Sequence, residues 1–300
     1  MKNSFIKVGS VLIASIFFFV ACSKENEPIE NSATNEDLII SLKNYNEQNR
    51  KYTPKCDGFW DCATRIVAVA GSDVMGAVGG AVAVKEAAIS LNLVSGGTVG
   101  TGVLIGGAVV GGATGSAVAY QALPKAEKEA KETKSILPTN PKDIIIPGGY
   151  SDFRDVGNNH NYLLFISYKG IEGTDIDSLL VDDYIVDRKV DAITSKALKS
   201  SEFKVKQNLM EQFSQRYTAS GFDFESLTSE YLKASLITSD QKQVLDLFIT
   251  AVKNGGEERL NSTIEYYIST VDKSSLSTFE KQSLISGFLV MSQSYYYWKN

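Results

Sequence analysis

A long stretch rich in glycine, alanine and valine constrains the fold of this 300-residue chain more than any other feature. No residue from Ala87 to Pro124 carries a charge, and the stretch from Ile66 to Val84 carries only that of Asp73. Lys85 and Glu86 stand between the two apolar stretches. Two apolar stretches separated by a charged break predict a helical hairpin.

Many glycines of this segment are four residues apart, a spacing that places them on one face of a helix. Glycine on such a face leaves a groove that the backbone of another helix can enter closely. Each interior glycine weakens a helix by about 1 kcal/mol relative to alanine, so these helices need packing or a bilayer to be stable. The glycines predicted to pack in this way are Gly76, Gly80, Gly102, Gly106, Gly107, Gly111 and Gly115.

Two roles for the hairpin are compatible with the sequence. A membrane-spanning helix needs about 20 apolar residues, and residues 98–120 reach that length. The segment either inserts into a membrane, as part of a pore or toxin, or packs as a buried hairpin in an otherwise soluble protein. The glycines lack the Gly-x-x-x-x-Gly-Lys-Ser/Thr pattern of a phosphate-binding loop, so we expect no nucleotide site.

The first 21 residues have the three parts of an export signal: a basic start, an apolar core and a small-residue cleavage site. Lys2 and Lys7 supply the charge, and Phe19-Val20-Ala21-Cys22 resembles a lipobox, with phenylalanine where leucine is usual. We therefore expect Cys22 to be acylated and to attach the mature chain to a lipid bilayer. The alternative is an ordinary secretory signal or an anchor helix, but the apolar core is shorter than the roughly 20 residues that a spanning helix needs.

The residues after Cys22, Ser23 to Glu27, resemble a short acidic signal that sends some lipoproteins to the outer face of the outer membrane. The alternative is a plain polar linker. The expected location is therefore the outer membrane, lipid-anchored, with display at the cell surface as a further expectation. The formal net charge of −5 lacks the basic footprint of a nucleic-acid-binding protein, so no nucleic-acid partner is expected.

Two cysteines remain in the exported part, Cys56 and Cys62. An even pair in an oxidising compartment favours a disulfide. A zinc site is the alternative, but zinc prefers four ligands and no histidine or further cysteine lies nearby in the sequence. We predict a disulfide and no metal or cofactor.

The composition changes along the chain predict five parts. A signal peptide (1–21) precedes a flexible polar tether (22–55), which contains one short periodic stretch around Leu38 to Leu42. The disulfide loop and glycine-rich hairpin follow (56–120), then a charged and proline-rich linker (121–150) and an all-helical domain (151–300). Apolar residues recur at helical intervals throughout the last part. The predicted fold class is therefore mainly α: a glycine-zipper helical hairpin followed by an all-helical C-terminal domain of about five to seven helices, in keeping with bundle patterning.

Candidate catalytic residues are few. His160 is the only histidine, which makes a Ser-His-Asp triad or a multi-histidine metal site improbable. Asp182, Asp183 and Asp187 lack a calcium-loop pattern, and a solvated face explains them better than acid–base chemistry. We expect the aromatic run from Tyr295 to Trp298 to pack back onto the domain and end the last helix; an exposed sugar-stacking or interfacial patch is the alternative. We expect a protein that is not an enzyme.

Three features of the chain carry a resemblance to other proteins: the Gly/Ala-rich segment from Cys62 to Ser116, the run GNNHNYLL from Gly157 to Leu164, and a last helix ending in SYYYW at Trp298. In these features the chain resembles a group of uncharacterised exported lipoproteins of Gram-negative bacteria, of the Bacteroidota type. The resemblance spans about residues 56–300 and implies the architecture above. It also implies that His160 and Asn161 matter at the start of the helical domain, but we favour the simpler explanation that His160 is a buried residue that caps or orients this helix.

The function expected first is that of a cell-envelope lipoprotein with a binding or membrane-associated role, whose protein or envelope partner the sequence does not name. The alternative is a membrane-inserting toxin or bacteriocin-like effector that acts through the hairpin.

Overall fold

The glycine-rich segment folds into two antiparallel helices around which most other helices are arranged. The structure is a computed structural model that describes residues 35–50, 63–94, 98–121, 144–167 and 176–299. Helix α2 (Ala63–Ser90) and helix α3 (Thr101–Gln121) form the hairpin. Helix α1 (Glu36–Asn49) precedes them, within the range that the sequence assigns to a flexible tether.

The helices that follow the hairpin are short to medium in length, except for the last two. They are a 3-10 helix (Gly148–Phe153), α4 (Val156–Ser167), α5 (Ile176–Arg188), α6 (Ala192–Leu198), α7 (Ser201–Ala219), α8 (Phe224–Lys233), α9 (Ser239–Asp272) and α10 (Thr278–Lys299). The prediction of a mainly α fold is confirmed.

Several helix boundaries follow directly from local sequence. Thr238 and Gln241 form a capping box at the start of α9, because each side chain binds the other residue's backbone N–H. Ser277 and Glu280 make the same reciprocal pair at the start of α10. Gly256 interrupts α9 with a φ of 58°, a conformation that glycine adopts without steric cost, and the two halves of α9 turn back on each other there.

The hairpin lies at the centre of the helical body. Helix α2 packs against α3, α7 and α10, and helix α3 packs against α4 and α7. Both contain stretches long and apolar enough to cross a membrane, Ile66–Ser90 and Thr101–Ala119, yet 89% of the most apolar part of each is buried. A helix that is apolar on all sides requires such surroundings, either a protein core or a bilayer.

The hairpin and the later helices share one hydrophobic core, and residues from Asn35 onward form one compact unit. The sequence predicts a linker (121–150) between two domains, whereas the described residues on either side of it pack together. Helix α1 joins the same unit, because Leu38 and Leu42 are buried against α9. The sequence predicts at most a helical turn or two around Leu38 to Leu42, whereas the structure has a 14-residue helix there, so residues 36–49 are not part of a flexible tether. The buried side chains of Leu38, Ile39 and Leu42 dock this helix.

Candidate functional site

The interface between α2 and α3 is built from glycines that let the two backbones touch. A Cβ atom added at Gly80 would lie 2.1 Å from the carbonyl oxygen of Gly107, and one at Gly76 would lie 2.2 Å from that of Gly111. Gly115 meets the carbonyl oxygen of Ser72 in the same way, at 2.6 Å. No other residue type fits these positions at this helix separation.

The two remaining glycines of the predicted set face other helices. A Cβ atom at Gly106 would lie 3.0 Å from the side chain of Thr194 in α6. Gly102 is more open, and its nearest neighbour is the Asp191 carboxylate at 3.7 Å. Sequence spacing alone treats all of these glycines alike, because it does not reveal which face of α3 meets α2.

A cluster of polar side chains lies beside this interface, where α2, α3, α4 and α10 meet. Asp73 of α2 is fully buried, and its Oδ2 accepts hydrogen bonds from the Ser294 hydroxyl and from Nε1 of Trp298 at 3.0 Å. Its other oxygen, Oδ1, has no hydrogen-bond partner among the described residues. The single charge of the first apolar stretch is thus held by the last helix of the chain.

His160 and Asn161, the two candidates from the sequence resemblance, belong to the same cluster. Nε2 of His160 lies 3.2 Å from the Ser116 hydroxyl, and Nδ1 lies 2.9 Å from Oδ1 of Asn161. The imidazole rests against α3 at Gly112, where a Cβ atom would lie 2.9 Å from Cδ2 of the ring. His160 and Asn161 therefore tie α4 to the second hairpin helix.

The electrostatics of the cluster are governed by burial. Burial raises the pKa of Asp73 above its ordinary value of 3.8, and the nearby His160 together with the hydrogen bonds from Ser294 and Trp298 opposes that rise. Burial, and secondarily the charge on Asp73, raises the pKa of Tyr217 in α7. Since a buried carboxylate is costly to ionise, burial favours the neutral form of Asp73.

The cluster has little in common with a nucleophilic active site. In a Ser-His-Asp triad, the imidazole stands between the hydroxyl and the carboxylate. Here the partner of the second ring nitrogen is Asn161, and Ser116, His160 and Asp73 are all fully buried. A substrate would reach these atoms only if the helices separated.

Sequence reasoning missed Ser116, Ser294 and Trp298 as partners of this cluster. One signal was available, because a lone aspartate in a long apolar stretch needs a buried partner. The aromatic run is predicted to pack onto the domain, and the structure confirms that packing. Tyr295, Tyr297 and Trp298 are buried, so this run packs onto the body.

The acidic residues of α5 and the cysteines add no candidate site. Asp182 pairs with Lys199 at the surface, Asp183 accepts from Ser167, and Asp187 pairs with Arg188. Within the described ranges no group of three or more histidine, cysteine or acidic side chains is placed to hold a metal ion. The predicted lipidation site Cys22 and the predicted disulfide Cys56–Cys62 lie outside the described residues.

A surface cleft of about 500 Å³ lies between the α7–α8 loop and α9. Two of its carboxylates already serve the fold: Asp223 caps α8, and Asp246 accepts from Thr228 and Lys242. Burial lowers the pKa of Lys253, which lines the cleft, and the charge of Asp223 opposes that shift. These contacts explain the polar lining without a ligand.

No protein-family model, no curated protein and no solved structure matches this chain.

Proposed function

We propose that this chain is a lipid-anchored protein of the cell envelope whose helical body serves as an interaction module at the membrane surface, not as a catalyst. The observation that carries the proposal is the burial of the hairpin, 89% of whose most apolar parts are covered by protein. The apolar side chains of the hairpin are thus already shielded from water by the other helices. Membrane attachment then falls to the lipid expected on Cys22.

The geometry of the anchor supports this assignment. Asn35, the first described residue, follows Cys22 by 13 positions. Even a fully extended chain of that length spans at most about 45 Å. Helix α1 is docked firmly on α9, since Tyr45 stacks on Tyr266 at a centroid distance of 4.0 Å and Asn46 donates to the Leu247 carbonyl. An acylated Cys22 would hold the body within one protein diameter of the bilayer.

The anchor is tested by growing cells that express the full-length chain with radiolabelled palmitate. We expect label in the wild-type protein and none in Cys22→Ala, with both proteins present in the envelope fraction or the medium in comparable total amounts. A wild-type protein that is exported without label would contradict a lipid anchor.

A second candidate, a membrane-inserting effector, is favoured by one specific observation. Helices α2 and α3 are long enough and apolar enough in composition to span a bilayer. Their mutual contact uses backbone and glycine, so the pair would survive transfer into lipid, where small-residue packing also holds helices together. Insertion would require the hairpin to leave α10.

A disulfide between α2 and α10 separates the two candidates. A Cβ atom at Gly287 lies 2.8 Å from Cγ2 of Val78, so Val78→Cys with Gly287→Cys places two thiols within bonding range. The mature protein with Cys22→Ser is mixed with dye-filled vesicles before and after this bond forms. We expect no dye release in either state, whereas release that the bond suppresses and a reductant restores would establish the inserting effector instead.

A further inference from the structure

One end of the helical body carries the turn of the hairpin, and we call it the turn end. Lys85, near the end of α2, has its Nζ 4.0 Å from the ring centroid of Phe279, in the first turn of α10. Glu86 pairs with Lys206, near the start of α7, at 3.4 Å. The starts of α7 and α10 therefore lie at the turn end.

The part of the chain nearest to the expected lipid anchor reaches the same end. Thr238, which caps α9, donates to Glu280 of α10 at 2.8 Å, so α9 also begins at the turn end. Asn35 donates to Asp240 at 2.5 Å and accepts from Ser275 at 2.6 Å. The first described residue thus lies at the end that carries the hairpin turn.

Apolar side chains are exposed at this end. Ile89, in the last turn of α2, is 48% exposed, and Val205, in the first turns of α7, is 58% exposed. Ile193, at the start of α6, is 48% exposed. The start of α6 lies at the turn end, since its cap residue Asp191 is beside Gly102 in the first turn of α3. The turn itself is uncharged, and Leu91, Leu93 and Val94 are partly exposed.

We infer that the turn end is a docking surface for the phospholipid bilayer to which Cys22 is attached. The inference rests on the proposed lipid anchor, because Asn35, the described residue nearest to Cys22 in sequence, lies at this end. Isoleucine, leucine and valine side chains gain free energy when they leave water for the interfacial region of a bilayer. The helical body stays folded in this arrangement. The uncharged turn residues Leu91 to Val94 enter the interfacial region of the bilayer first.

The test uses an artificial tether, so that it does not depend on acylation in cells. The mature chain carries a hexahistidine tag in place of Cys22 and binds vesicles of phosphatidylethanolamine and phosphatidylglycerol with a nickel-chelating lipid. Amide hydrogen exchange is compared with and without vesicles. We expect slower exchange in residues 88–94 on vesicles and unchanged exchange in residues 219–223, at the opposite end of α7.

Two isoleucine variants supply the matched comparison. Ile89→Asp should abolish the protection of residues 88–94, because a charge at the turn end resists transfer from water. Ile145→Asp should leave it intact, since Ile145 is 75% exposed but lies beside the second half of α9, where its backbone N–H donates to Glu265. Exchange of both variants without vesicles should match the wild-type protein, which shows that the body remains folded.

Three results would overturn the inference. They are unchanged exchange of residues 88–94 on vesicles, equal loss of protection in both variants, and faster exchange throughout α10, which would mean that the hairpin had left the body. Absence of palmitate on Cys22 in cells would instead refute the anchor and leave the vesicle result standing.

Discussion

Helix α2 meets its two main neighbours in opposite ways. Against α3 it presents glycines, and backbone touches backbone at Gly80 and Gly107. Against α10 it presents a buried carboxyl group, and Asp73 is held by Ser294 and Trp298. The first interface depends on shape alone and is indifferent to solvent and pH. The second depends on the protonation of one group, so it is the interface at which conditions can change how the hairpin is held.

Adding one methyl group to the glycine interface should have the largest effect. Gly80→Ala places a Cβ atom 2.1 Å from the Gly107 carbonyl oxygen, so the helices must separate, at a cost of about 3 kcal/mol of unfolding free energy. Gly102→Ala is the matched control, with 3.7 Å to its nearest neighbour, and should stabilise α3 by up to about 1 kcal/mol. Urea unfolding measures both. Equal effects of the two substitutions would show that close backbone contact does not hold the hairpin.

Removing a donor to Asp73 should cost less. Trp298→Phe keeps an aromatic ring and deletes the indole N–H, so we expect a loss of about 1–3 kcal/mol in unfolding free energy. In a protein that already carries Asp73→Leu, Trp298→Phe should cost less unfolding free energy than it does in the wild-type protein, because no buried acceptor is then left unpaired. Strict additivity in this double-mutant cycle would contradict the hydrogen bond.

The protonation of Asp73 predicts a dependence of stability on pH. Its pKa is raised by burial, so the folded state binds the proton more tightly than the unfolded chain. The stabilisation of the folded state by this tighter proton binding is fully present below pH 3.8 and is lost as the pH rises through the folded-state pKa of Asp73. Asp73→Asn, which stays neutral, should therefore gain stability relative to the wild-type protein as pH rises. His160 and Tyr217 are the described titratable groups that interact with Asp73, so His160→Gln serves as a control for the imidazole. A constant difference between wild type and Asp73→Asn from pH 4 to pH 9 would refute the assignment.

Asp191, at the surface, should give the smallest effect, with the opposite sign. Its pKa is lowered chiefly by the hydrogen bond from the Thr194 backbone N–H, as expected for a helix cap. The contribution of ionised Asp191 to the stability of the fold is present above the ordinary pKa of 3.8 and is lost as the pH falls through the folded-state pKa. Asp191→Ala should cost about 1 kcal/mol near neutral pH and less in acid, as denaturant titrations at both values would show. A cost that grows in acid would rule out this capping role.

The sequence predicted the hairpin because spacing and the absence of charge are local properties. It did not distinguish Gly80, which touches a backbone, from Gly102, which faces a cap residue, since that difference depends on how α6 and α10 pack. The cluster around Asp73 joins residues more than 200 positions apart, and no local pattern connects Asp73 with Trp298. Helix α1 was assigned to a tether because its polar residues, such as Asn46, become buried only through contacts with α9.

The most direct test of the central claim, that the hairpin remains the core of an intact body at a membrane, is the environment of Trp298. With Trp60→Phe, Trp298 is the only tryptophan, and its indole reports the contact between α10 and Asp73. Its fluorescence emission is compared in solution and on vesicles to which the mature chain is tethered. An unchanged emission maximum is the predicted result. A shifted maximum accompanied by release of entrapped dye would mean that the hairpin leaves α10 for the bilayer, which contradicts the account.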